Sequence, residues 1–163
     1  MDRASLSSAR FPLVATIRAA RLDEDTIPAT DRVVNLDVSL LVVRLLAGGV
    51  FVIFGIGKFT DHASELASFK TYGLPAPDAF VVIVGLIELF GGALLIAGLL
   101  TRPAALVLAG NMVGAIVVSG IAKGELISLT LAPAELVAML VLLWFGPGAY
   151  SLGNELNHRR LRT

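Results

Sequence analysis

Three formal charges stand inside long apolar runs of this sequence, Arg44, Glu88 and Glu135, and they are the residues most able to do chemistry. A charge at the centre of a spanning helix costs about 2.5 to 3.5 kcal/mol on insertion scales, so such residues face a bundle interior or a partner. Helical spacing places them in stripes. Arg44, Gly48, Phe51, Gly55 and Lys58 follow one another along a single helix face. Gly85, Glu88 and Gly92 share a face by the same rule, and Gly110 and Gly114 bracket Asn111 in a small-xxx-small arrangement that permits close helix approach. These stripes are expected to face protein; the bland alternative is that the glycines loosen lipid-facing helices.

Depth decides which polar groups can meet. Arg44 stands about 9 Å in from one face and Asn111 roughly 10 to 12 Å in from the same face, while Glu88 is about 16 to 18 Å from it at 1.5 Å per residue. An Arg44–Glu88 ion pair with Asn111 alongside is therefore expected, either fixing helix register or forming a polar site. The alternative is that Arg44 snorkels to the interface. Glu135 follows Pro133 by two residues. If the last helix starts at that proline, the acid caps the positive end of the helix dipole near the outer interface, and residues 127–131 form an extended or re-entrant piece. Lys58, Glu135 and Trp144 are secondary candidates.

The elements that must carry these residues are four apolar runs, Val38–Gly57, Ala79–Leu100, Ala104–Ala122 and Ile127–Phe145. About 20 apolar residues are needed for a helix to cross a bilayer, and only a helix or a closed barrel satisfies its backbone there. With 56% hydrophobic and 16% charged residues, the charges collecting in termini and connections, the expected fold is all-α. The predicted architecture is a polytopic four-helix membrane bundle over residues 38–152, with an N-terminal arm over residues 1–37 and a tail over residues 153–163. In the arm, Leu13, Val14, Ile17 and Ala20 lie on one face with Arg10, Arg18 and Arg21 around it, which suggests a short basic amphipathic helix on the membrane surface. A disordered arm is the alternative. Residues 23–28 read as a turn and linker, and no signal peptide is apparent.

Nine arginines, in the arm, the second connection and the tail, oppose Lys58, Lys70 and Lys123 on the other side, which predicts cytoplasmic termini under the positive-inside rule. The net charge of zero makes no case for nucleic acid. The absence of cysteine rules out disulfide, thiol and iron–sulfur chemistry. Both histidines, His62 and His158, fall outside the runs, so no transition-metal site is expected.

The series Arg44…Gly48…Phe51…Gly55…Lys58-Phe59, then Gly73-Leu74-Pro75-Ala76-Pro77, then Gly85-Leu86-Ile87-Glu88-Leu89-Phe90-Gly91-Gly92 resembles the DoxX family of small bacterial membrane proteins. Gly98-Leu99-Leu100-Thr101-Arg102 and the closing Phe145-Gly146-Pro147-Gly148-Ala149-Tyr150-Ser151-Leu152 fit the same pattern. The resemblance covers about residues 38 to 154. One departure is clear: the family often has an Asp after the terminal Ser-Leu, where this chain has Gly153-Asn154, so no role resting on that acid is carried over. The resemblance implies a four-helix protein of the bacterial inner membrane, with relatives associated with thiosulfate:quinone oxidoreductase and with assemblies handling sulfur or oxidative stress.

Three readings follow. The first is a membrane subunit or anchor of a larger, redox-linked complex, not a stand-alone enzyme, with protein partners and the lipid bilayer around it. The second is a quinone-linked oxidoreductase subunit with quinone at the Arg44–Glu88 layer, where Arg44, Asn111 and Trp144 are the available donors. The third is a small transporter using the same polar stripe.

Overall fold

The structure, a computed structural model, describes residues 29–154, with side chains from residue 33 onward. The expected amphipathic helix of the arm, the linker at residues 23–28 and His158 in the tail lie outside the described residues. The chain divides into two compact units, residues 1–36 and 37–163, and of the first only the opening turns of one helix are described.

The described residues form five α-helices: α1 (Ala29–Thr60), α2 (His62–Tyr72), α3 (Pro77–Ala97), α4 (Thr101–Ala115) and α5 (Leu126–Phe145). A π-helical turn, Ile116–Ile121, prolongs α4. Four spans are long and apolar enough to cross a bilayer: Val33–Thr60, Pro77–Ala97, Thr101–Ile121 and Leu126–Phe145. Helix α2 buries no residue and bridges α1 to α3.

Local chemistry sets the boundaries. Pro77 opens α3 at a position where its missing N–H costs nothing. Gly73 (φ 78°) ends α2 and Gly98 (φ 68°) ends α3 in the left-handed conformation that lets the last carbonyls be capped. The last helix corrects an expectation. It starts at Leu126, behind Glu125, so Pro133 sits inside it and residues 127–131 are helical. An internal proline removes one backbone bond, which packed neighbours offset in membrane helices.

The core of the bundle includes Leu40, Phe51, Leu95, Leu108, Met139 and Leu142. The outer faces are equally apolar: Leu46, Ile53, Phe90, Leu106, Val137 and Leu140 are all exposed. An apolar exterior around a packed interior is a surface made for lipid, and the chain is a multi-pass membrane protein.

Glycine sets how closely α1 and α3 approach. A Cβ on Gly48 would lie 2.8 Å from the Gly92 carbonyl oxygen, and one on Gly55 would lie 2.7 Å from the Leu89 nitrogen. Backbones in such contact tolerate no side chain between them. Gly110 and Gly114 behave differently. A Cβ on either meets nothing within 4 Å, so this pair mediates no helix contact among the described residues, unlike what its spacing suggests.

Candidate functional site

The polar residues separate into two groups at opposite ends of the α1 stripe. Arg44, only 1% exposed, gives four of its five N–H donors to backbone carbonyls. Its Nε donates to Leu95 O at 2.8 Å and Nη2 to Ile96 O at 3.0 Å. Nη1 donates to Pro147 O at 2.7 Å and to Tyr150 O at 2.9 Å. The first two acceptors are the last carbonyls of α3, the negative end of its dipole. The other two belong to the segment after α5. Arg44 therefore clamps three pieces of chain at one end of the bundle. Nearby, Asp37 Oδ1 accepts the Ala149 N–H at 2.8 Å and Asn154 Nδ2 donates to Gly148 O at 2.9 Å.

Arg44 and Glu88 are not paired. Gly48 against Gly92 and Gly55 against Gly85 and Leu89 fix an antiparallel register in which Glu88 is level with the turn of α1 around Phe54. Arg44 is then more than two turns away, on the order of 15 Å along the axis, beyond the reach of its side chain. Lys58 is about one turn away and takes the place expected for Arg44. Its Nζ lies 3.0 Å from Glu88 Oε2 and 3.7 Å from Glu65 Oε2. Asn111 does sit beside Glu88, and its Nδ2 donates to Glu88 Oε1 at 3.0 Å.

This second group lines a cavity of about 360 Å³ between the helices. Phe51, Phe54, Phe69, Tyr72 and Phe80 give it aromatic walls, and Lys58, Glu65, Glu88, Asn111, Glu125 and Glu135 give it polar ones. Ten residues into α5, Glu135 is 7% exposed and its Oε2 has no hydrogen-bond partner among the described residues. That position excludes a capping role. Trp144 is 81% exposed at the far end of α5 and contributes nothing to the cavity.

Sequence reasoning missed the chain of groups that closes the cavity between α2 and α5. Ser128 Oγ donates to Glu125 Oε2 at 2.7 Å, and Ser119 Oγ lies 2.6 Å from Ser128 Oγ. Tyr72 also hydrogen-bonds Glu125; burial and this bond push the Tyr72 pKa up to about 12. Burial works against the Glu125 carboxylate, but hydrogen bonds from Ser128, Ser119 and Tyr72 outweigh it and hold its pKa below the usual value. Ser119 stands on the π-helical turn, a distortion that recurs at functional sites. Glu125 and Tyr72 fall at the ends of connections, where only the polar residue types themselves hinted at a site.

Near α2, His62 is held by acceptors on both ring nitrogens: Asp78 Oδ1 at 2.8 Å from Nε2 and the Lys58 carbonyl at 3.2 Å from Nδ1. The Asp78 bond foremost, then the Lys58 carbonyl, raise its pKa above the ordinary value. No cluster of metal-ligating residues occurs among the described residues.

Fold and site together define a small helical membrane protein with a largely apolar cavity, polar at a few points, between its helices. The DoxX family model matches residues 39–121. An uncharacterized membrane protein of Mycobacterium tuberculosis, Rv3486, is 35% identical over 74% of this chain and 83% of its own length. The inner membrane protein YqjF of Escherichia coli is 32% identical over 76% of this chain and 95% of its own. A Bacillus subtilis protein named "Putative oxidoreductase CatD" is 32% identical over 51% of this chain and 60% of its own. No solved structure gives a significant match. The chain belongs to the DoxX family.

Proposed function

We propose that this protein is a membrane subunit of a redox-linked assembly of the bacterial inner membrane, and that its own contribution is to hold a quinone-type ligand between its helices. The observation that carries the reading is the cavity itself: aromatic walls around the Lys58–Glu88–Asn111 cluster, in a space of about 360 Å³. Ligand sites are typically apolar cavities with a few convergent polar groups. The oxidoreductase name of the Bacillus subtilis relative gives the redox direction. With no cysteine in the chain, electrons reach such a ligand through a partner subunit. Arg44 lies outside this role because it does not line the cavity and gives four of its five donors to backbone carbonyls.

Purification of the full chain from its native membrane in mild detergent tests both parts. Stoichiometric co-purification of a redox protein and recovery of quinone in the organic extract are expected. A chain that elutes alone and quinone-free defeats the reading.

The arginine distribution supports an orientation with both termini in the cytoplasm. Cysteines introduced at His62 and Lys123 should then react with an impermeant thiol reagent on intact cells. Labelling at His158 instead would invert the topology.

A further inference from the structure

Gly110 and Gly114 line the cavity and are at the same time exposed on the outer face of α4, in one stripe with Val107, Val117 and Ile121. A Cβ added at either glycine would meet nothing within 4 Å. The two glycines thus make a notch in a lipid-facing helix, and the notch leads to the interior of the cavity. Inside that interior Glu135 is 7% exposed, its Oε2 has no partner among the described residues, and no cation stands beside it within ion-pair distance. Every other carboxylate of the cavity has a charged or hydrogen-bonding neighbour: Glu65 and Glu88 lie against Lys58, Asn111 donates to Glu88 and Ser128 donates to Glu125, although Glu88 Oε2 makes no hydrogen bond of its own. A buried polar atom left without a bond is unfavourable, so an occupant that bonds it gains affinity.

We propose that the cavity is loaded sideways from the bilayer through the notch at Gly110 and Gly114, and that Glu135 anchors the occupant by a hydrogen bond to its ring oxygen. The proposal rests on the quinone reading above and extends it. The occupant is a lipid-soluble ring bearing carbonyl or hydroxyl oxygens: a carbonyl accepts from the carboxylic acid, and a hydroxyl donates to the carboxylate. The ring stacks among Phe51, Phe54 and Phe80, and an alkyl tail leaves through the notch into lipid. The glycine pair keeps the passage free of the long side chains that would project across it.

The test is photolabelling of the full chain in lipid nanodiscs with an azido-benzoquinone carrying a ten-carbon tail. The wild type should be labelled on cavity residues such as Met112 and Leu131. Gly114→Leu and Glu135→Leu should each lower labelling on the order of tenfold, while Glu135→Gln, which keeps hydrogen-bonding atoms, retains most of it. Phe90→Leu, on the lipid face, should leave it unchanged. Each variant is first matched to wild type by helical circular dichroism and elution volume. Full labelling of both leucine variants overturns the notch and the anchor while leaving the quinone reading standing. A folded wild type that is not labelled at all removes the quinone reading itself. Displacement of the label by tetraphenylphosphonium but not by unlabelled quinone would assign the cavity to organic cations and overturn the ring-oxygen anchor.

Discussion

Lys58 and Glu88 face each other at 3.0 Å across α1 and α3, with side chains 8% and 6% exposed. Their attraction acts where water cannot screen it, and the desolvation of each ion is offset only while the other is present. Lys58→Met alone should destabilise the bundle by about 3 to 5 kcal/mol, because it leaves Glu88 buried without its cation. Glu88→Gln should cost less, because Lys58 keeps Glu65 at 3.7 Å. The double variant should recover a large part of that loss, as measured by thermal unfolding in detergent. Losses that simply add would show that the two residues act independently.

Arg44 should behave in the opposite way, because its partners are carbonyls. Arg44→Met leaves the ends of α3 and of the segment after α5 without their donor. The expected loss is at least 3 kcal/mol at roughly 1 kcal/mol per bond. Glu88→Gln should not rescue it. Gly98→Ala should mimic it in part, since a Cβ there runs into the Arg44 guanidinium and Gly98 also needs its left-handed φ of 68°. Rescue of Arg44→Met by Glu88→Gln would restore the ion pair that the register excludes.

The spanning helices were legible because their signal is local: an apolar run of membrane length needs no knowledge of its neighbours. The partners of the charged residues were not, because they depend on the register between helices. Nothing within α1 says that Gly48 meets Gly92, and without that contact Arg44 looks as able as Lys58 to reach Glu88. Lys58 was further hidden by the end of the apolar run at Gly57, although the helix continues to Thr60. Glu135 was obscured by Pro133, which reads as the first turn of a helix and sits in the middle of one. The spacing of Gly110 and Gly114 suggested contact; only the packed structure shows that they face open space.

The two kinds of glycine separate experimentally. Gly55→Ala should cost several kcal/mol or force α1 and α3 apart, since its Cβ would sit 2.7 Å from backbone that cannot yield. Gly110→Ala meets nothing within 4 Å and gains helix propensity. It should be neutral or stabilising by up to about 1 kcal/mol. Side-by-side melting of the two variants checks this, and equal destabilisation would mean that Gly110 also packs against a helix.

The His62–Asp78 contact makes a signed prediction about pH. Both ring nitrogens of His62 face acceptors, so the charged form satisfies both and the folded-state pKa lies above the ordinary 6.5. A group whose pKa is raised on folding contributes stability that is fully present below its unfolded value. That contribution is lost as pH rises through the folded value. The contact is exposed, so the effect should be small and should weaken further in high salt. Asp78→Asn should therefore lower the melting temperature relative to wild type near about pH 5.5 and leave it almost unchanged near about pH 8.5. A difference that grows toward high pH would show that His62 is neutral in the folded protein and that Asp78 acts through something else, such as its place in the first turn of α3.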